Sequence, residues 1–108
     1  MTKILVLESE ICNKKEKMDY INAEIKALLK IKEPTEIYEM KLKAATENWI
    51  NSVDRLCFCI KNGYLMEKEW KSEYKDFINN VVETFKNKTE LINLSDYKNI
   101  NELYKKWM

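Results

Sequence analysis

ILVLESEICNKKEKMDYINAEIKALL, residues 4–29, places Ile4, Leu7, Ile11, Lys14, Met18, Ile21, Ile25 and Leu28 at alternating spacings of three and four. On a helix these positions form one stripe, and the rhythm is that of a and d positions over more than three heptads. The stretch therefore predicts a long first helix over about residues 3–31, roughly 40 Å at about 1.5 Å per residue. Lys14 is the only polar member of the seam, and one polar seam residue can fix register or oligomer state at some cost in stability. The opening Ile4-Leu5-Val6-Leu7 also suits a short strand.

Working outward, Pro34 ends this helix, because the residue before a proline is pushed out of the α region. Pro34 then suits the first turn of a second helix over about 34–62, with Glu36 and Glu39 near the positive end of its dipole. The first half of that helix is polar on most sides, with apolar residues at Ile37, Met40, Leu42, Ala44 and Ala45. Its second half carries Trp49, Ile50, Val53 and the run Leu56 to Ile60, which covers every direction around a helix and predicts burial on more than one side. Asn62-Gly63 predicts a Schellman stop, with Tyr64 folding back toward Cys59.

A third helix is expected over about 66–87, with Met66, Trp70, Phe77, Ile78, Val81 and Phe85 along one face. Residues 88–99 read as a linker holding a small apolar knot, Leu91, Ile92 and Leu94. Asn99 and Glu102 have the spacing of a capping box and predict a short fourth helix over about 99–107. A helix that short needs docking to persist in water, and Trp107 is its expected anchor.

One Gly and one Pro in 108 residues argue against the many turns an all-β domain needs. The expectation is a single all-α domain spanning 1–108: an antiparallel helical hairpin, a third long helix across it and a short helix closing one end. The 19 basic and 18 acidic residues nearly cancel, at −1 for residues 1–54 and +2 for 55–108, so neither half is a basic patch. Arg55 is the only arginine, which disfavours sequence-specific DNA reading. Cys12, Cys57 and Cys59 form no disulfide framework and read as buried apolar thiols in a reducing compartment. No stretch approaches the roughly 20 apolar residues of a membrane span. The chain reads as cytoplasmic, in the host cytoplasm if phage-encoded.

The absence of His removes the usual general base, the serine and cysteine triads and most zinc sites. A single Gly rules out glycine-rich phosphate loops. Glu69, Glu73 and Asp76 have a spacing that could hold a divalent ion, but their interleaving with Lys68, Lys71 and Lys75 is better explained as a solvated, salt-bridged face. Tyr64, Trp70, Tyr74, Lys71 and Lys75 could stack bases and hold phosphates, yet Trp70 falls on the core seam of its helix. The seam of the first helix has two readings. It packs on the second and third helices, or Leu7, Ile11, Lys14, Met18 and Ile21 pair with a second copy.

From Ile50 onward, the apolar helix ending Ile60-Lys61-Asn62-Gly63, the Tyr64-Leu65 step to Glu69-Trp70, and the run Tyr97 to Trp107 carry a resemblance. In these features the chain resembles small helical domains of uncharacterised bacterial and phage proteins, over a little more than half its length. Met66 departs from the Asp, Ser or Thr expected to cap the third helix. The resemblance implies a helical fold and brings no functional residue with it.

The expected function is therefore non-enzymatic protein binding, with no catalytic set, metal or cofactor. Whichever of Tyr38, Trp49, Tyr64 and Tyr74 prove exposed would serve as anchors. Small size and a composition rich in Lys, Asn and Ile make an inhibitor of a bacterial defence complex, carried by a phage or mobile element in the manner of an anti-CRISPR protein, one concrete version. A structural or regulatory coiled-coil dimer and a nucleic-acid-binding or DNA-mimic protein are the alternatives.

Overall fold

In the computed structural model the chain is all-α, with four helices and no strand among the described residues, which are 2–63 and 67–107, with side chains over 6–63 and 68–107. The helices are α1 (Thr2–Lys30), α2 (Glu36–Lys61), α3 (Glu67–Phe85) and α4 (Lys98–Trp107), with a 3-10 turn at Leu94–Asp96. Ile4 to Leu7 are helical, so the strand reading of that run does not hold. No described helix is long and apolar enough to cross a membrane. The chain divides into two compact units, Met1–Ser52 and Val53–Met108, with the boundary inside α2.

The first unit is a helical pair. Leu7, Ile11, Met18, Ile21 and Ile25 of α1 are buried, as are Ala45, Trp49 and Ile50 of α2. The polar seam residue Lys14 donates from Nζ to Ser52 Oγ at 2.9 Å, and Lys15 Nζ lies 5.8 Å from the Trp49 ring centroid. Ser52 and Thr46 are fully buried, and each hydroxyl returns a hydrogen bond to the carbonyl four residues earlier, Asn48 and Leu42. Lys14 thus reaches across the helical pair to a buried hydroxyl.

The turn between these helices differs from the expected proline stop. Lys32 takes the left-handed conformation, φ 58°. Its N–H donates to Leu29 O at 3.2 Å and the Glu33 N–H donates to Leu28 O at 3.0 Å, the bond pair of a Schellman motif. Pro34 lies between the helices, and Thr35, whose carbonyl accepts from the Glu39 N–H at 2.8 Å, occupies the cap of α2. Proline keeps α1 from continuing, but the left-handed lysine makes the turn.

In the second unit Val53, Leu56, Cys57, Cys59 and Ile60 from the end of α2 are buried, with Ile78, Val81, Val82 and Phe85 of α3 and Ile100, Leu103 and Trp107 of α4. Phe58 is exposed, so the five-residue apolar run is covered on several sides and open on one. Gly63 has φ 76°, and its N–H donates to Ile60 O at 3.3 Å, as expected for the stop after α2; Tyr64, the expected second half of that motif, lies outside the described residues, as does Met66. The linker is more ordered in kind than its composition suggested. Asn93 caps the 3-10 turn by accepting from the Ser95 N–H at 3.1 Å, and Ile92 and Leu94 are buried. α4 packs on α3 and on this turn.

The expected capping box of α4 is replaced by a cap from a distant part of the chain. The helix begins one residue before Asn99, and Tyr97 O accepts from the Asn101 N–H at 3.2 Å. Asp54 of α2 accepts from the Ile100 N–H at 3.0 Å and from Asn99 Nδ2 at 2.9 Å. Glu102 instead pairs with Lys61, and this contact holds its carboxyl below the usual range. A carboxylate at a helix N-terminus satisfies an otherwise open donor and meets the positive end of the dipole.

Candidate functional site

Apolar side chains on the two units are distributed very differently, and the difference locates a candidate surface. Leu29 and Ile31 at the end of α1 are 61% and 66% exposed, and Ile37 and Met40 at the start of α2 are 68% and 73% exposed. Ile37, Met40 and Ala44 recur at spacings of three and four, so they share one stripe of α2, and all three are exposed. Leu29, Ile31, Ile37 and Met40 all lie where the chain reverses between the helices. Tyr38 beside them is half-buried, with Lys41 Nζ 5.0 Å from its ring centroid. Burying any of these aliphatic side chains fully against a partner would contribute about 1.5–3 kcal/mol before the costs of association.

The four aromatic residues picked from the sequence are placed differently from one another. Trp49 is only 4% exposed and belongs to the core of the first unit. Tyr38 is half-buried at the hairpin end, and Tyr74 is half-buried on α3. Tyr64 is outside the described residues. The seam residues Leu7, Ile11, Met18 and Ile21 are each buried within the single chain, and Lys14 is half-buried against Ser52. That stripe leaves little uncovered surface for a second copy.

The sequence pattern identifies Ile37 and Met40 only as apolar residues on a polar half-helix and does not itself show that they are exposed. A usable signal was present. Ile37, Met40 and Ala44 make a stripe that stops at Glu47, apart from the Leu42, Ala45, Trp49 stripe that runs on into the apolar half of the helix.

Chemistry-bearing groups are sparse. Among the described residues no group of three His, Cys, Asp or Glu is placed to hold a metal ion, and Glu69, Glu73 and Asp76 are all exposed. The expected salt bridges on that face are also absent among the described residues: Lys68, Glu69, Lys71, Glu73, Lys75 and Asp76 make no ion pair within 4.0 Å. Cys57 and Cys59 are buried free thiols, whereas Cys12 is exposed, contrary to the reading of all three as buried. Burial, and secondarily Asp54, pushes the Cys57 thiol far above its ordinary range, so it stays protonated. Ser95, Lys98, Asn101, Glu102 and Lys105 line an open depression of about 520 Å³ beside α4. Glu102 there pairs with Lys61 and, at 4.0 Å, with Lys98, and with Lys105 also on the lining the depression carries a net positive charge.

Comparison of the chain with protein-family models, with curated proteins and with solved structures finds no match in any of the three.

Proposed function

We propose that this protein is a non-enzymatic binding module that takes a protein partner on the apolar end of its helical hairpin. The observation that carries the reading is the exposure of Leu29, Ile31, Ile37 and Met40 at one end of a helical pair whose other large apolar side chains are mostly buried. Leaving four large aliphatic side chains in water at one place forgoes burial energy, and grouped exposure of this kind marks interaction surfaces. The surrounding side chains carry both signs of charge, Lys30, Lys32 and Lys41 with Glu33, Glu36 and Glu39, which suits a polar rim around an apolar centre.

The test is parallel affinity capture from the native cell with the wild type and with the double variant Ile37→Glu, Met40→Glu, followed by quantitative mass spectrometry. A partner enriched by the wild type and lost with the variant is expected. Equal recovery by both proteins would place binding elsewhere. The finer version, an inhibitor of a bacterial defence complex encoded by a phage or mobile element, rests on small size and on the Lys-, Asn- and Ile-rich composition. It predicts that expression of the wild type, but not of the double variant, relieves interference with an incoming plasmid.

A further inference from the structure

The N-terminal half of α3 carries an aromatic stripe that is only half-buried. Trp70, Tyr74 and Phe77 lie at spacings of four and three, on one stripe. Trp70 stacks on Tyr74 with ring centroids 5.1 Å apart, and Tyr74 meets Phe77 edge-on at 5.8 Å. All three are only half-buried, and the first buried residue of the helix among those described is Ile78. The sequence reading placed Trp70 in the core; it lies where the covered stripe of α3 runs on into a partly open one.

The charges beside this stripe are sorted. Each aromatic is preceded by an acid, Glu69, Glu73 and Asp76, and the first two are followed by Lys71 and Lys75. On a helix the preceding and following positions fall on opposite flanks of a stripe. The half-buried aromatic strip therefore has one acidic edge and one basic edge. These side chains are exposed, and their charges are not engaged in ion pairs among the described residues.

We infer that this strip is a self-complementary interface, on which α3 of a second copy of the chain lies parallel to α3 of the first. A two-fold axis running along the helix direction turns the second strip to face the first and brings the basic edge of each helix against the acidic edge of the other. An antiparallel pair would oppose like edges. Two-fold interfaces are isologous, so one patch must complement itself. Sorted charge flanking an apolar seam is the device by which paired helices choose orientation. Three half-buried aromatic residues per chain make a contact at or below the roughly 1,200 Å² lower end of stable interfaces, the range of weak, transient pairs. The interface is separate from the hairpin end and stands or falls independently of it.

Sedimentation equilibrium of the full chain tests the assignment, with helical circular dichroism as a check on folding. The wild type is expected to self-associate. Lys71→Glu with Lys75→Glu, and separately Glu69→Lys with Glu73→Lys, should each be monomeric, and an equimolar mixture of the two should regain the dimer. The neutral set Lys71→Gln, Lys75→Gln should weaken association at least about threefold, which covers the case in which a charge reversal disturbs folding. Ile37→Glu, Met40→Glu should leave the dimer intact. The inference is overturned by a wild type that stays monomeric to about 1 mM, by reversed variants that still dimerise, or by a mixture that fails to restore association. Loss of the dimer in the hairpin-end variant would overturn it too. So would tight binding of a single-stranded oligonucleotide that both lysine reversals abolish, since the strip would then be a stacking platform.

Discussion

The segment before Ser52 and the segment after it handle apolar side chains in opposite ways. In the second unit Leu56, Cys57, Ile78, Ile100 and Leu103 reach 0% exposure, and Phe58 is the one large apolar side chain standing in solvent among the described residues. In the first unit Ile50 alone of the large apolar side chains reaches 0%, the α1 seam is 7–8% exposed, and Val6, Tyr20, Leu29, Ile31, Ile37 and Met40 are exposed. A two-helix unit has one interface to hide side chains in, whereas three helices and a turn surround theirs from several directions. The contrast assigns most of the stabilising burial to the second unit and the presentable apolar surface to the first.

The largest effect should come from removing the anchor of the better-packed unit. Trp107 is 4% exposed on a ten-residue helix too short to persist without docking. Trp107→Ala should lower the unfolding free energy by about 3–5 kcal/mol, read from the urea midpoint. Its indole N–H is buried with no hydrogen-bond partner among the described residues, so Trp107→Phe, which removes that donor, should lose much less. A small loss for Trp107→Ala would erase the proposed difference between the units.

Next in size is the cap that Asp54 supplies to α4. Asp54→Ala leaves the Ile100 N–H and Asn99 Nδ2 without their carboxylate and should cost about 1–2 kcal/mol. Asp54→Asn keeps one acceptor and should cost less. Hydrogen exchange at Ile100 is the sharper readout, because it reports the protected donor itself. Unchanged exchange in Asp54→Ala would mean that the cap contributes little to holding α4.

These two elements also show where the sequence was readable and where it was not. The four helices, the stop at Gly63 and the anchor at Trp107 were all legible, because periodicity, a lone glycine and a short amphipathic end are local signals. The capping box at Asn99 and Glu102 was misread for a reason that no local pattern reveals. The competing acceptor, Asp54, is distant in sequence, and Glu102 found Lys61 instead. Likewise, the periodicity that put Trp70 on an apolar stripe says nothing about how far the covering surface extends along α3. The candidate site was the least legible part, since exposure of Ile37 and Met40 depends on what the rest of the fold leaves open.

The two left-handed turns give a smaller and directly paired test. Lys32 and Gly63 have similar positive φ, 58° and 76°, at the ends of α1 and α2. A side chain in this conformation costs about 1–2 kcal/mol, partly offset by the lower backbone entropy of a non-glycine unfolded chain. Lys32→Gly should therefore stabilise the protein by about 0.5–1 kcal/mol. Gly63→Ala should destabilise it by about 1 kcal/mol through φ alone, since nothing lies within 4 Å of the added Cβ. Equal and opposite shifts in the urea midpoint are the expected pattern. A stabilising Gly63→Ala would show that the turn relaxes out of the left-handed region.

The smallest expected change in stability is also the most informative about function. Ile37 and Met40 are 68% and 73% exposed, so replacing both with Glu removes little buried area and should shift the unfolding free energy by less than about 0.5 kcal/mol. If the two residues instead helped to hold the first unit together, the double variant would lose several times that amount and the turn between α1 and α2 would exchange faster. Near-zero cost combined with loss of partner capture separates a surface kept open for binding from an imperfectly covered core, because only the former decouples the two readouts.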